Sequence, residues 1–254
     1  NSSGYALWDL GATTNLARLL GGSQGALGII TRIRFGLVKP KPFSSMVIIF
    51  LNDLTQLGTV VPQVLSHHPD SFESYDDHTF SLAIKYFPEF AAQMKTGIIP
   101  LGISFLPELW MLITGGVPKL VLLVEFRADT QEAALKCAER LAQELQRESS
   151  TSIRIAKDAR AAEKYWAIRR ESFALLRKKV RGKRTAPFID DFVVPPTSLA
   201  QFLPELVALL SEYQLTYTIA GHVGDGNFHI IPLIDPKDPT MPRVIQELSK
   251  KVYD

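Results

Sequence analysis

"KLVLLVEFRADTQEAALKCAERLAQELQRE", residues 119–148, decides the fold class. Its first third is an apolar run rich in Val and Leu, short enough for a strand and too dense for a solvent-facing one. The rest changes period: Ala134, Leu135, Ala138, Leu141, Ala142 and Leu145 fall on one stripe of a helix. Asp129 and Glu132 stand at the spacing of a capping box that would open it. "SIRIA" (152–156) then alternates as a short strand does. Outward from this strand-helix-strand unit the same alternation continues in both directions. "MVIIFLND" (46–53) reads as a buried strand and "DLTQLGTVVPQVLSHHPD" (53–70) as a helix begun by Asp53 or Thr55 and ended near Pro69. "SFESYDDHTF" (71–80) reads as a half-exposed strand, and a second long helix runs from after Asp158 to about Lys179. Strand "FIDDFVVP", helix "SLAQFLPELVALLSEY", strands "LTYTIAGHV" and "NFHIIPLI" and a final helix complete the order. The pattern predicts an α+β fold: an antiparallel or mixed sheet with helices packed on one face.

Length and composition agree with a folded globular chain. The 254 residues are 46% hydrophobic, ample for a substantial core. Lys and Arg number 28 against 26 Asp and Glu, so no global field draws the chain to nucleic acid. Cys137 is the only cysteine, which excludes an internal disulfide framework and fits a reducing, cytoplasmic compartment. The apolar stretch 97–126 is interrupted by Pro100, Pro107, Glu108, Gly115, Gly116, Pro118 and Lys119 before it reaches membrane-spanning length. No transmembrane segment is expected; the apolar loop is the kind of surface through which a peripheral membrane contact would run. The first residue is Asn1, not methionine, "VIQELSKKVYD" stops without a helix cap, and both ends read as cut, so we expect a fragment. "LVKPKPF" (37–43) is an extended connector that divides a glycine-rich start, residues 1–41, from the α+β part, residues 42–254.

Three features carry chemistry. "LLGGSQGALGIIT" (19–31) gathers Gly21, Gly22, Gly25 and Gly28 around Ser23. Glycines let backbone amides approach a ligand closely, and they also make tight turns; the spacing matches neither a Rossmann fingerprint nor a Walker loop. In "AAEKYWAIRRESFALLRKKVRGKR", Ala162, Trp166, Arg169, Phe173 and Leu176 recur at helical spacing, which sets Arg169 in an apolar stripe. An inward guanidinium needs an anion, either Asp190 or Asp191 or the carboxylate of a ligand. The cationic run from Arg177 to Arg184 reads as a solvated helix end, with no interleaved aromatics that would suit nucleic acid. Finally "GHVGDGNFH" (221–229) reads as a hairpin through Gly224, Asp225, Gly226 and Asn227, with His222 and His229 at the facing strand ends. Two imidazoles suit zinc or a similar ion but need a third ligand, preferably a carboxylate; otherwise they are hydrogen-bonding corner residues.

These stretches resemble one family. "SGYAL" with "LLGGSQGALGIITRIRFGLVKPKP" is similar to the end of the FAD-binding (PCMH-type) domain of FAD-linked oxidoreductases of the vanillyl-alcohol-oxidase type. "YWAIRRESF", "FIDDFVVPPTSL" and "GHVGDGNFH" resemble the ferredoxin-like C-terminal cap domain of its D-lactate, glycolate and D-2-hydroxyglutarate dehydrogenases. The resemblance implies an FAD-dependent enzyme that oxidises a D-2-hydroxy acid and passes electrons to a quinone, a flavoprotein or a cytochrome. It implies backbone contacts to FAD at Gly22, Ser23, Gly25, Ala26, Gly28, Ile29 and Ile30, with Ala26 where threonine is usual. It places Arg169 on the substrate carboxylate and a divalent metal, zinc, on His222 and His229. The further glutamate ligand and its neighbouring histidine, the base, would lie beyond Asp254. Ile231 stands where asparagine is frequent, and Ile189 near the place of a lysine found in some members. The same residues also leave room for a metal-free flavin oxidase or synthase, or for a binding module without catalysis.

Overall fold

A computed structural model of the chain describes residues 5, 7, 15–88, 102, 105, 106, 108, 113, 116–148, 151–179 and 182–253, without the side chains of 172–179. The chain divides into two compact units, Asn1–Pro40 and Lys41–Asp254. In the first, Asn15 caps a five-residue helix, α1 (Leu16–Leu20), by accepting the Ala17 amide. The following glycine-rich segment turns without entering a strand.

The second unit is built on β1 (Phe43–Leu51) and β3 (Leu120–Ala128), paired antiparallel in unbroken register from Phe43↔Ala128 to Leu51↔Leu120. β4 (Ser152–Ala156) lies along the other side of β1, and β2 (Ser71–Asp76) along the other side of β3. The sheet continues from β2 through β7 (Ile219–Gly221) and β8 (Asn227–Ile230) to β6 (Asp191–Val193). The full order is β4-β1-β3-β2-β7-β8-β6, with every pairing antiparallel. A separate two-stranded ribbon joins β5 (Arg184–Thr185) to β9 (Leu233–Ile234).

The apolar runs of β1 and β3 are continuous because both faces of the sheet are covered. Val47, Ile49 and Leu51 point into one core, Met46, Ile48 and Phe50 into another. α2 (Leu57–Ser66), α4 (Gln131–Glu148), α6 (Leu199–Ser211) and α7 (Met241–Tyr253) fill the first core. α4 does so with Ala138, Leu141, Ala142 and Leu145, four of the six residues of the expected stripe, while Leu135 is only partly buried; each fully buried leucine contributes roughly 1.5–3 kcal/mol. α3 (Asp77–Lys85) and α5 (Ala159–Lys179) fill the second with Phe80, Ala83, Ala162, Tyr165 and Ile168. The α+β class and the antiparallel sheet are as expected. The helices, however, occupy both faces, because the two-sided burial of β1 and β3 demands a second apolar layer.

Several local expectations change. "SFESYDDHTF" is a strand only to Asp76, whose carboxylate takes the Thr79 amide at 2.9 Å and starts α3. Thr130, not Asp129, caps α4: its hydroxyl accepts the Ala133 amide at 3.2 Å. A short 3-10 turn, Leu54–Gln56, capped by Asp53, precedes α2. "FIDDFVVP" and "LTYTIAGHV" pair over only three residues each, Asp191–Val193 and Ile219–Gly221. Phe173, Leu176, Arg177, Lys178, Lys179 and Arg181 lie outside the described side chains, as does most of 97–118. Among the described residues no helix is long and apolar enough to cross a membrane.

Candidate functional site

The face of the sheet under α5 collects the charged residues. Within β2, alternation puts Glu73 and Tyr75 on this face and Phe72 in the opposite core. Arg169 lies one turn beyond Tyr165 on α5, on the same side of the helix. The hairpin supplies the rest. β7 and β8 pair Ala220 with His229, and β8 and β6 pair His229 with Asp191, so Ala220, His229 and Asp191 share one face. The β2–β7 register, Ser74↔Gly221 and Tyr75↔Ala220, places Glu73 opposite His222 one step further along.

The turn holds both histidines through its backbone. The His222 carbonyl accepts the amides of Asp225 at 2.9 Å and Asn227 at 3.2 Å, and Gly226 donates to Val223 at 3.1 Å. Two glycines are required. Gly226 has φ +69°, and a Cβ there would strike the Val194 carbonyl. A Cβ on Gly221 would strike the Asn227 carbonyl and lie 2.8 Å from the Phe228 Cα.

The resulting constellation is compact. Arg169 Nη2 lies 2.6 Å from Glu73 Oε2, and His222 Nδ1 lies 2.7 Å from Glu73 Oε1. The His222 and His229 rings stand edge to face, their centres 6.0 Å apart. His229 Nδ1 is 3.8 Å from Asp191 Oδ1, too long for a hydrogen bond, and the side-chain Nδ2 of Asn227 donates to that oxygen at 2.6 Å. Glu73 is largely buried, Arg169 about one-fifth exposed, and the histidines half-open to solvent at 48% and 37%. Arg169 thus meets the carboxylate of Glu73. Glu73 was invisible in sequence: its partner His222 is 149 residues away.

The distance between the two imidazole ring centres is one that a shared divalent ion would permit. With bonds of about 2.0–2.1 Å, ring centres stand about 3.2 Å from an ion, so two rings sharing one stand up to about 6.4 Å apart and about 5.2 Å at the tetrahedral angle. The observed 6.0 Å lies inside that limit and needs a modest closure. Among the described residues, the group with three donor atoms already within 4.8 Å of one another is a different one, Asp76, Asp77 and His78. There His78 Nδ1 lies 3.2 Å from both carboxylates, and Lys119 lies 3.1 Å from Asp77. Hydrogen bonds that the imidazole donates to Asp76 and then Asp77 push the His78 imidazole up to about 10. An imidazolium and a lysine therefore match these carboxylates internally. They edge a cavity of about 640 Å³ walled by Leu203, Val207 and Leu210 of α6, with Tyr217 against His78.

A second cluster adjoins Arg169. Glu108 is buried and is held by Lys164 at 3.1 Å, by Arg154 at 3.4 Å and by a short hydrogen bond from the Tyr165 hydroxyl. Burial, reinforced by the Glu108 charge, drives the Tyr75 and Tyr165 hydroxyls far above the usual phenol range, so both are protonated. Desolvation lowers the Lys164 ammonium, with Glu108 opposing it.

In the first unit, Gly22, Gly25 and Gly28 adopt positive φ, and a Cβ on Gly25 or Gly28 would meet nothing within 4 Å. Ser23 is buried and accepts the Ala26 amide at 2.9 Å, whereas Ile29 and Ile30 are exposed. This open backbone beside bare apolar side chains fits close approach of a large flat cofactor such as FAD.

The chain is similar to D-2-hydroxyglutarate dehydrogenase of Pseudomonas putida, 26% identical over 94% of this chain and 23% of that protein. It is 23% identical to glycolate oxidase subunit GlcD of Escherichia coli K12, over 94% of this chain and 43% of that one. It is 25% identical to D-lactate dehydrogenase of Anaerostipes hadrus, over 99% and 47%. The chain therefore spans between about a quarter and a half of these relatives. Among solved structures, alkyldihydroxyacetonephosphate synthase shares the fold with a TM-score of 0.63 at 13% identity, covering 95% of this chain and 44% of that one. The 4-ethylphenol oxidase of Gulosibacter chungangensis does so with a TM-score of 0.56 at 10% identity, covering 85% and 44%. The conserved architecture and the match of residues 41–254 agree: the chain belongs to the family of FAD linked oxidases, C-terminal domain.

Proposed function

We propose that the chain is the substrate-handling part of an FAD-dependent dehydrogenase that converts a D-2-hydroxy acid to its 2-oxo acid with the help of a divalent ion, zinc. The observation that carries the reading is the convergence of Arg169 and His222 on one carboxylate, Glu73, with His229 alongside. Arg169 binds the substrate carboxylate through its planar fork, which lysine does not reproduce. His222 and His229 hold the ion, which supplies a Lewis acid that lowers the pKa of the substrate hydroxyl. FAD, held in part by the backbone of Gly22, Ser23, Gly25, Ala26, Gly28, Ile29 and Ile30, supplies the two-electron acceptor. The side chains around Arg169, with Tyr75 and Tyr165 protonated behind it, keep water away from the clamp and strengthen it. The proton acceptor is proposed to lie outside residues 1–254. A quinone, a flavoprotein or a cytochrome is the proposed electron acceptor, reached from the cytoplasm or from a membrane surface.

The test uses the intact flavoprotein. Arg169→Lys is expected to raise KM for D-lactate or D-2-hydroxyglutarate by about ten-fold or more with flavin content unchanged. His222→Ala is expected to lose the ion. Unchanged kinetics in the first variant remove Arg169 from the substrate site. Full flavin without stoichiometric metal in the wild type turns the reading to a metal-free flavin oxidase or synthase.

A further inference from the structure

We propose that Glu73 is the positioning residue of this site: its Oε1 takes the Nδ1–H of His222, leaving Nε2 as the donor nitrogen for a metal, while its Oε2 holds the guanidinium of Arg169. One carboxylate thereby sets the tautomer of a metal ligand and the direction of the substrate clamp.

The geometry carries this in three ways. A carboxylate offers acceptors only, so the 2.7 Å contact to His222 Nδ1 assigns the ring proton to that nitrogen. Imidazoles that bind metals typically direct their other N–H to a carboxylate in this manner, which fixes the ring and raises its basicity. Second, the anchor is rigid. β2 is flanked by β3 and β7, and the strand register, not a flexible loop, sets Glu73 opposite His222. Third, the side chain is only 12% exposed, yet it faces a histidine at 48% exposure and an arginine at 19%. A buried carboxylate spent on two groups at the rim is a poor way to stabilise a fold and a good way to aim them. Asp191 does not play the same part for His229: it stands at 3.8 Å and is held by Asn227.

This inference rests on the reading of His222 as a metal ligand, and its test separates the two. In the intact flavoprotein, Zn²⁺ affinity is measured by chelator competition and the site symmetry by the visible spectrum of Co²⁺, for wild type, Glu73→Gln, Glu73→Asp and His222→Ala. Flavin absorbance and far-UV circular dichroism monitor folding. Glu73→Gln and Glu73→Asp are expected to weaken Zn²⁺ binding about 10–100-fold, to shift the Co²⁺ bands and to raise KM for the hydroxy acid. Zn²⁺ affinity within two-fold of wild type and unchanged Co²⁺ bands, with the ion lost from His222→Ala, overturn the role of Glu73 and leave the reading intact. A His222→Ala protein that keeps its ion overturns both. A lower KM in Glu73→Gln overturns the proposal in another way, by showing that Glu73 competes with substrate for Arg169. Should the Glu73 variants fail to fold, ¹⁵N-histidine spectra of metal-free wild type decide the matter: protonation at Nδ1 of His222 is expected, and an Nε2–H tautomer overturns the assignment.

Discussion

Replacing Glu108 by alanine removes the anion from a site that holds two cations and a phenol. The carboxylate is 1% exposed, and its partners Lys164 and Arg154 are 15% and 28% exposed. Breaking a buried ion pair by deleting one partner costs roughly 3–5 kcal/mol, because the survivor stays desolvated. The partial exposure of both cations, and the further interactions that each makes, set the value at the low end, about 3 kcal/mol. With a urea m-value of about 3 kcal/mol/M, the unfolding midpoint falls by about 1 M. Glu108→Gln keeps an acceptor for the Tyr165 hydroxyl and should lose about half as much. The pH dependence supplies an independent check. Lys164 already titrates below its ordinary value through desolvation, and without Glu108 nothing from that carboxylate opposes the fall. A folded-state ammonium with a lowered pKa means that the unfolded chain binds more protons, so stability rises with pH through that range. The deficit of Glu108→Ala should therefore shrink as pH approaches 10.5, the ordinary lysine value. A midpoint within about 0.2 M of wild type at neutral pH, by circular dichroism in urea, would refute the reasoning.

Three further outcomes are expected. Gly226→Ala combines a left-handed backbone with a collision at the Val194 carbonyl, whose residue pairs through its own amide with Gly226 at 3.0 Å. It should cost about 2–4 kcal/mol and disturb the hairpin that carries both histidines, read as a lower thermal midpoint; a shift under 1 °C would contradict the packing. His78, raised to about 10 by Asp76 and Asp77, contributes stability that is complete below 6.5 and lost as pH rises through about 10. Because its side chain is 47% exposed, the contribution is under about 1 kcal/mol, and NMR titration of His78 with a midpoint near 6.5 would exclude it. Leu141→Ala, in the first core, should cost about 2–5 kcal/mol by the same denaturation assay, and less than 1 kcal/mol would mean the α4 stripe is not packed as described.

What sequence revealed followed local periodicity. The β3 run, the α4 stripe and the βαβ alternation around them are short-range patterns, and the structure repeats them, with Leu135 left at the margin of the stripe. Where two local signals competed, sequence was ambiguous: "SFESYDDHTF" alternates well enough for a strand, yet Asp76 three residues before Thr79 is also a helix cap, and the cap prevails. The site divides in the same way. Arg169 stood out as a charge within an apolar stripe, and His222 and His229 as a pair across a turn. Glu73 had no such signature. Its significance comes from the β2–β7 register, which couples positions far apart in the chain and leaves no trace in either neighbourhood. In sequence Glu108 is only a break in an apolar stretch, since its partners come from β4 and α5.

The same register has a consequence for assembly. Strands β1, β2, β3 and β4 come from the first part of the domain and β6, β7 and β8 from the last, and among the described residues the two groups are hydrogen-bonded through the two residue pairs of β2 and β7. Closing that seam requires a long loop to be shut before any contact across it is gained, so it is expected to form late in folding. The candidate site straddles the seam, with Glu73 on one side and His222 and His229 on the other. Any ligand that touches both sides acts as a staple across this short joint, and occupancy at one hundred times its dissociation constant adds about 2.7 kcal/mol to the closed state. Occupancy and folding are thus coupled, because a ligand on this site ties the first strands of the domain to the last.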